Sequence, residues 1–406
     1  MIDRSRPPRI GRSERICTCL VFLLGLLWSA PLPAQDPPVL PPERVEALTA
    51  RLQAYLDSVH AAGSFPGANV AVRLPDGTLI AISTGVRDRD SGVPLTPADR
   101  MPAGSVGKTF FGAVALQLVS EGALDLEAPI SRYLGTEAWF ERLPNAPGVT
   151  VRQLMNHSSG IVRYEFNPRF LEDLLADPYR VWRPEEQLAY LFDSEAPFAA
   201  GQGWTYSDTN YILLAMIVER ITSAPAYDEI QRRILSPLGL LDTIPSDRPE
   251  IPRLVQGYAG DGNPFGGRDE MLDEQGRMAI NPGFEWGGGG FASTARELAR
   301  WTADIYEGRA WDPALIEEVT TGVPARELGR GVEYGLTTII RNLPAGRIWG
   351  HSGYFPGYLT ETYYFPEYGI SVAVQVNTSV ARAVGRSLLR IVNDLAALTI
   401  AEFPER

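Results

Sequence analysis

Pro102-Ala-Gly-Ser-Val-Gly-Lys-Thr109 decides how the rest of this 406-residue chain is read. Of its 37 lysine and arginine residues only one is lysine, and that residue is Lys108. Arg serves wherever else a cation is wanted, so the exception calls for a property that Arg lacks. Arg stays protonated under ordinary conditions, whereas Lys releases its proton when desolvated or set beside another cation. Ser105 stands three residues before Lys108, and an apolar run follows at once. At the start of a helix, residues three apart share a face. Ser105 Oγ and Lys108 Nζ then meet, and the helix N-terminus favours negative charge developing on the oxygen. The plain alternative, a stray surface lysine, leaves this spacing unexplained.

Two other loop types fit less well. A phosphate-binding loop ends in Gly-Lys-Thr, but its first glycine falls at Pro102. Ala103-Gly-Ser-Val-Gly107 nearly matches a nucleophile elbow, with His351 as its base, but residues 95–102 make a poor strand to feed one.

Working outward, Pro42 to about Ala62 has helical apolar spacing (Val45, Leu48, Leu52, Leu56, Val59), and Gly63 follows it. Strands are expected at 69–74 and 78–87, joined by the turn Pro75-Asp-Gly77. Residues 103–320 read as helical pieces between Gly and Pro loops, clearest at 108–121, 151–157, 210–223 and 294–306. The last begins with a capping-box spacing, Thr294 to Glu297. Strands return at 334–341, 347–351, 358–365 and 370–376, and a helix over 380–401 closes the chain. This order predicts an α+β fold: one antiparallel sheet built from both chain ends, flanked by helices, with a mostly helical lobe inserted. The sheet lobe covers about 42–100 and 330–406, and the helical lobe about 103–320.

The first fifteen residues carry five Arg, and an uncharged run from Ile16 to about Leu32 follows, ending in small residues and prolines. That is the pattern of a secretory signal peptide over residues 1–34, with a proline-rich linker at 35–41 and one domain over 42–406. The apolar core is short for a membrane span, so no stable membrane insertion is expected after cleavage. Both cysteines, Cys17 and Cys19, lie in the leader, which excludes disulfides and thiol catalysis from the mature chain. Removing residues 1–34, five Arg against two acids, takes the formal charge from -12 to -15. Such a balance argues against nucleic acid as partner. An exported protein, periplasmic or extracellular, acting on a small molecule or short peptide is expected.

Two further motifs stand out. In Trp204-Thr-Tyr-Ser-Asp208, a Tyr phenol beside a lysine ammonium is a candidate proton carrier, with helix-start packing as the bland reading. In Trp349-Gly-His-Ser-Gly-Tyr354, His351 offers donors to a substrate carboxylate or oxyanion, and Gly353 leaves room for substrate along a strand edge. A structural histidine is its alternative. His157 and His60 read as structural.

In that order, Ser105-x-x-Lys108, Tyr206-Ser-Asp208 and His351-Ser-Gly353 resemble the three motifs of the serine β-lactamase and penicillin-binding protein superfamily, above all the class C-related carboxypeptidases and esterases. Phe65-Pro-Gly-Ala68, Thr150 to Gly160 and Gly287 to Thr294 resemble supporting segments, so the likeness runs from about Phe65 to Asn377. The resemblance implies a serine hydrolase with Ser105 as nucleophile, Lys108 as its proton partner and Tyr206 as general base or shuttle. It implies an oxyanion hole from the backbone N–H groups of Ser105 and Tyr354, and substrate contacts from Asp208, His351, Ser352 and Gly353. No metal or organic cofactor is implied.

Two positions depart from the pattern. The second motif usually ends in Asn, whereas Asp208 accepts but cannot donate, and is placed to pair with Lys108. The third is usually Lys-Thr-Gly in class C β-lactamases, and His351 is a weaker carboxylate anchor than Lys at neutral pH. Both lower the β-lactamase reading, and His351-Ser-Gly resembles the carboxypeptidase and esterase branches. Ester, small amide or peptide cleavage is expected, with a class C-like β-lactamase or penicillin-binding D-Ala-D-Ala carboxypeptidase as the alternative. A ligand-binding protein on the same fold, without turnover, is the alternative from another class. Pocket shape depends on the segments Glu285 to Gly290 and Tyr354 to Tyr358.

Overall fold

Alternating Val and Ala in two strands explain how the sheet is sandwiched. A computed structural model describes residues 37–263 and 268–403; the expected leader at 1–34, with its cysteines, and the first two linker residues lie outside them. β1 (Gly67–Arg73) and β2 (Leu79–Gly85) come early. Three short strands follow, β3 (Met101–Pro102), β4 (Ile244–Pro245) and β5 (Phe291–Ser293). The late strands are β6 (Val323–Pro324), β7 (Glu333–Tyr334), β8 (Ile339–Leu343), β9 (Gly346–Phe355), β10 (Tyr358–Phe365) and β11 (Ile370–Val376). The main sheet runs β2-β1-β11-β10-β9-β8-β7-β6, antiparallel throughout. The sheet is thus built from both chain ends, because β1 pairs with β11 in the register Ala68↔Val376 to Arg73↔Ser371.

Every residue of β1 and β11 is buried, as strands covered on both faces require. Val70, Val72, Val372 and Val374 share one core with Leu48, Leu52 and Leu56 of the Pro42–Ala62 helix and Ile391, Val392 and Leu395 of the Leu388–Ile400 helix. Ala71 and Ala373 face the other way and meet Ala295, Leu298 and Ala299 of the Ala295–Tyr306 helix. Small residues on both sides of that contact let the helix lie close. Each buried Val contributes roughly 1.5–3 kcal/mol.

Several boundaries differ from expectation, each for a local reason. The strand expected over 334–341 is split into β7 and β8, because Thr337 takes a positive φ of 57°. Its backbone N–H donates to the Met155 carbonyl, and its methyl fills the space beside Gly112. The closing helix begins at Leu388 rather than 380, since Gly385, at φ 76°, ends a short 3-10 turn over Ala381–Val384. Leu40, expected in a linker, is buried in the sheet core. Thr294 caps its helix by accepting from Glu297 N–H, but the Glu297 carboxylate turns instead to Asp242 N–H and Thr243 Oγ1, so only half of the capping box forms.

The second sheet, β3-β5-β4, is antiparallel and carries the nucleophile candidate. Ser105 follows a two-residue strand here, which removes the nucleophile-elbow reading.

Candidate active site

Ser105 lies in a 3-10 turn, Gly104–Gly107, that runs straight into the Lys108–Ser120 helix. Two glycines let this turn sink between its neighbours. A Cβ on Gly107 would lie 1.6 Å from the Gly289 carbonyl oxygen. Gly104, at φ 52°, has no room for a Cβ against the Tyr354 backbone, 2.7 Å from its nitrogen. The turn is thereby pressed onto β9, and Ser105 and Tyr354 both line one cavity of about 940 Å3.

Lys108 is fully buried, and its Nζ has three oxygen neighbours. It donates to Ser105 Oγ at 2.9 Å, to Asp208 Oδ1 and to the Gly288 carbonyl. Asp208 and Gly288 offer only acceptors, so they hold two N–H bonds of the amine. The third direction points at Ser105, where an ammonium presents a proton and a neutral amine presents its lone pair. Burial lowers the pKa of Lys108, Asp208 opposes that, Arg163 adds to it, and the net direction is down.

Asp208 divides its carboxylate. Oδ1 takes Lys108 and Oδ2 accepts from Arg163 Nη2 at 2.5 Å. Burial alone would raise its pKa, but the Arg163 and Lys108 cations hold it well below the usual carboxylate range. Arg163 also donates through Nε to Glu165 Oε1 at 2.6 Å. Arg163 and Glu165 escaped the sequence reading, and Glu285 entered it only as the start of a pocket-shaping segment, because no motif marks them and only the fold brings them near Asp208. Glu285 is pushed up to about 8 by burial, against the pull of Lys108.

Tyr206 differs from expectation. Burial and the Asp208 carboxylate push its phenol well above the ordinary value, so it is neutral and suits a proton shuttle rather than a resting general base. Lys108 Nζ faces its ring 5.0 Å from the centroid, and its buried hydroxyl has no well-formed hydrogen bond among the described residues. Underneath lies His157, fully buried, 4.2 Å from the Tyr206 ring. His157 Nδ1 accepts from Ser207 N–H and Asn210 Nδ2, at 3.2 and 3.1 Å. It is structural, as read, and what it supports is the Tyr206 segment.

His351, expected to offer a donor to substrate, lines the cavity. Tyr334 Oη lies 2.8 Å from Nε2, and Nδ1 donates to the Ser352 carbonyl at 2.6 Å. Both nitrogens are engaged, and burial together with nearby Lys108 lowers the ring's pKa to about 3. The imidazole is neutral and has no spare donor for a substrate carboxylate. Ser352 Oγ donates to Glu361 Oε2 at 2.7 Å, and burial raises Glu361 to about 7. Gly353 lines the cavity, but its first constraint is packing: a Cβ there would sit 2.0 Å from the Ala103 carbonyl oxygen.

The cavity has an apolar wall that includes Phe166, Leu171, Phe284, Phe355 and Leu359. Arg163 lines it and Lys108 lies beneath, and both cations are already paired with the Asp208 carboxylate. No described helix is long and apolar enough to cross a membrane.

A family model described as Beta-lactamase matches residues 48–396. Esterase EstB of Burkholderia gladioli is 26% identical over 372 residues, covering 82% of this chain and 91% of that protein. A penicillin-binding protein of Bacillus subtilis (strain 168) is 28% identical over 280 residues, covering 66% of this chain but 58% of its own length. A solved D-stereospecific amidohydrolase from Streptomyces sp. superposes with a TM-score of 0.70 at 28% identity, covering 84% of this chain and 96% of that one.

Proposed function

We propose, because this chain belongs to the Beta-lactamase family, that it is a serine hydrolase of neutral esters or small amides, working through an acyl-enzyme on Ser105. One observation carries the reading: a buried amine fixed by two acceptors, with its remaining direction on Ser105 Oγ at 2.9 Å. In its neutral form Lys108 takes the Ser105 proton as Oγ bonds to the substrate carbonyl carbon. The Ser105 and Tyr354 N–H groups receive the oxyanion, each such donor being worth roughly 3–4 kcal/mol in other enzymes. As the intermediate collapses, the C–O or C–N bond breaks, and the leaving group receives a proton from the neutral Tyr206 phenol, which Lys108 re-protonates. Water, deprotonated along the reverse route, then cleaves the acyl-serine ester and restores Ser105.

The apolar wall supports a hydrophobic acyl or leaving group. The paired state of Lys108 and Arg163, and the neutral His351, disfavour a substrate carboxylate at this site. Esters and neutral amides are therefore preferred over penicillins and C-terminal carboxylate peptides. The leader-like N-terminus supports export, to the periplasm or the medium.

The test is a substrate panel of short p-nitrophenyl esters, D-amino acid amides, D-Ala-D-Ala peptides and a chromogenic cephalosporin. Ester or amide turnover above that of the cephalosporin, abolished by Ser105→Ala, is expected. Fast cephalosporin opening with no ester or amide turnover would overturn the preference.

A further inference from the structure

Arg163 makes no hydrogen bond to Ser105 or Lys108, yet it reaches Lys108 through the shared Asp208 carboxylate. Its guanidinium is clamped between two carboxyls, Glu165 Oε1 at 2.6 Å and Asp208 Oδ2 at 2.5 Å. Its cation also lies 5.5 Å from the centre of the Tyr206 ring and 4.3 Å from that of Phe166. A carboxylate facing a lone buried ammonium would bind it as a full ion pair and hold its proton fast. Here the carboxylate is shared between two cations.

We propose that Arg163 is a positioning residue: by holding Asp208 Oδ2 it shares out the carboxylate's charge and keeps Oδ1 on Lys108, so that the Arg163–Asp208 pair stands beside the amine as a nearly neutral unit. The proposal rests on the acyl-enzyme reading above. It accounts for a charged Asp208 beside the one amine whose proton must move.

The groups facing Lys108 are few. Ser105 Oγ, Asp208 and the Gly288 carbonyl touch it, and Arg163 and Glu285 act on it through space. His157 and His351 are neutral, and Tyr206 and Tyr211 are un-ionised phenols. Removing the Arg163 charge therefore strengthens the hold of Asp208 on the ammonium, whereas removing the Asp208 charge weakens it. The two changes have opposite signs.

The experiment measures kcat/KM against pH on one neutral ester for wild type, Arg163→Gln, Arg163→Lys, Asp208→Asn and the double variant R163Q/D208N, with fluorophosphonate labelling of each. Activity rises as Lys108 loses its proton, so Arg163→Gln is expected to move the acid limb up by about one pH unit, the order of one nearby charge. Asp208→Asn moves it down, the double variant falls between, and Arg163→Lys stays near wild type. A limb that does not move in Arg163→Gln, or moves the same way as in Asp208→Asn, overturns the proposal while wild-type labelling at Ser105 upholds the acyl-enzyme reading. Absence of that labelling overturns both.

Discussion

Tyr334 Oη and His351 Nε2 lie 2.8 Å apart in the buried floor of the site, and the Ser352 carbonyl, which can only accept, places the neutral ring's proton on Nδ1. The consequence for pH is direct. The folded ring titrates at about 3, against 6.5 ordinarily, because of burial and nearby Lys108. As pH falls below 6.5, the unfolded chain takes up a proton that the folded chain refuses, so His351 makes stability decline between pH 6.5 and 3. Thermal melts across that window are expected to show a shallower decline for His351→Gln than for wild type. Parallel curves would mean that the ring is not held neutral.

Glu361 gives the opposite slope. Burial raises it to about 7 from 4.5, so the folded protein keeps a proton that the unfolded chain has released. Stability is therefore lost as pH rises from 4.5 through 7. Glu361→Gln keeps an acceptor for Ser352 Oγ and removes the titration. Its stability relative to wild type is expected to grow across that window and then level off, by at most about 3 kcal/mol. A difference that stays constant with pH would contradict this.

Gly353 is expected to tolerate no side chain. The Cβ of Gly353→Ala meets the Ala103 carbonyl oxygen at 2.0 Å, both backbones being held in the site. Forced separation of β9 from the Ser105 turn should cost about 1–3 kcal/mol and most of the ester activity. Gly148→Ala, with nothing within 4 Å of its Cβ, serves as the control and should match wild type. Full activity in Gly353→Ala would show that the turn and strand need not touch.

Lys108→Arg keeps the charge and abolishes the lone pair. Loss of about 10²–10⁴-fold in kcat is expected, the usual scale for a proton-transfer group. Circular dichroism checks that the larger side chain is accommodated. Retained activity would mean that Lys108 serves only as a cation.

What could be read from the sequence was what local spacing encodes. Ser105 and Lys108 share a face because a single turn joins them, and β10 and β11 keep the bounds expected of them, 358–365 and 370–376. The helix at 209–222 starts one residue before its expected position. What could not be read depends on contacts distant in the chain. Arg163 meets Asp208 across 45 residues, and Glu361 reaches Ser352 only because β9 and β10 are paired in that register. His351 looked like a free donor until the fold brought Tyr334 to it. The break at Thr337 likewise follows from its fit against Gly112, in a helix more than 200 residues earlier.

The most direct test is intact-mass analysis after reaction with a fluorophosphonate, with Ser105→Ala in parallel and the adduct mapped by peptide digestion. One adduct, on Ser105 and absent from the variant, is the result expected of a serine activated by Lys108. No adduct, or an adduct on another residue, would contradict that assignment and leave the fold without its proposed chemistry.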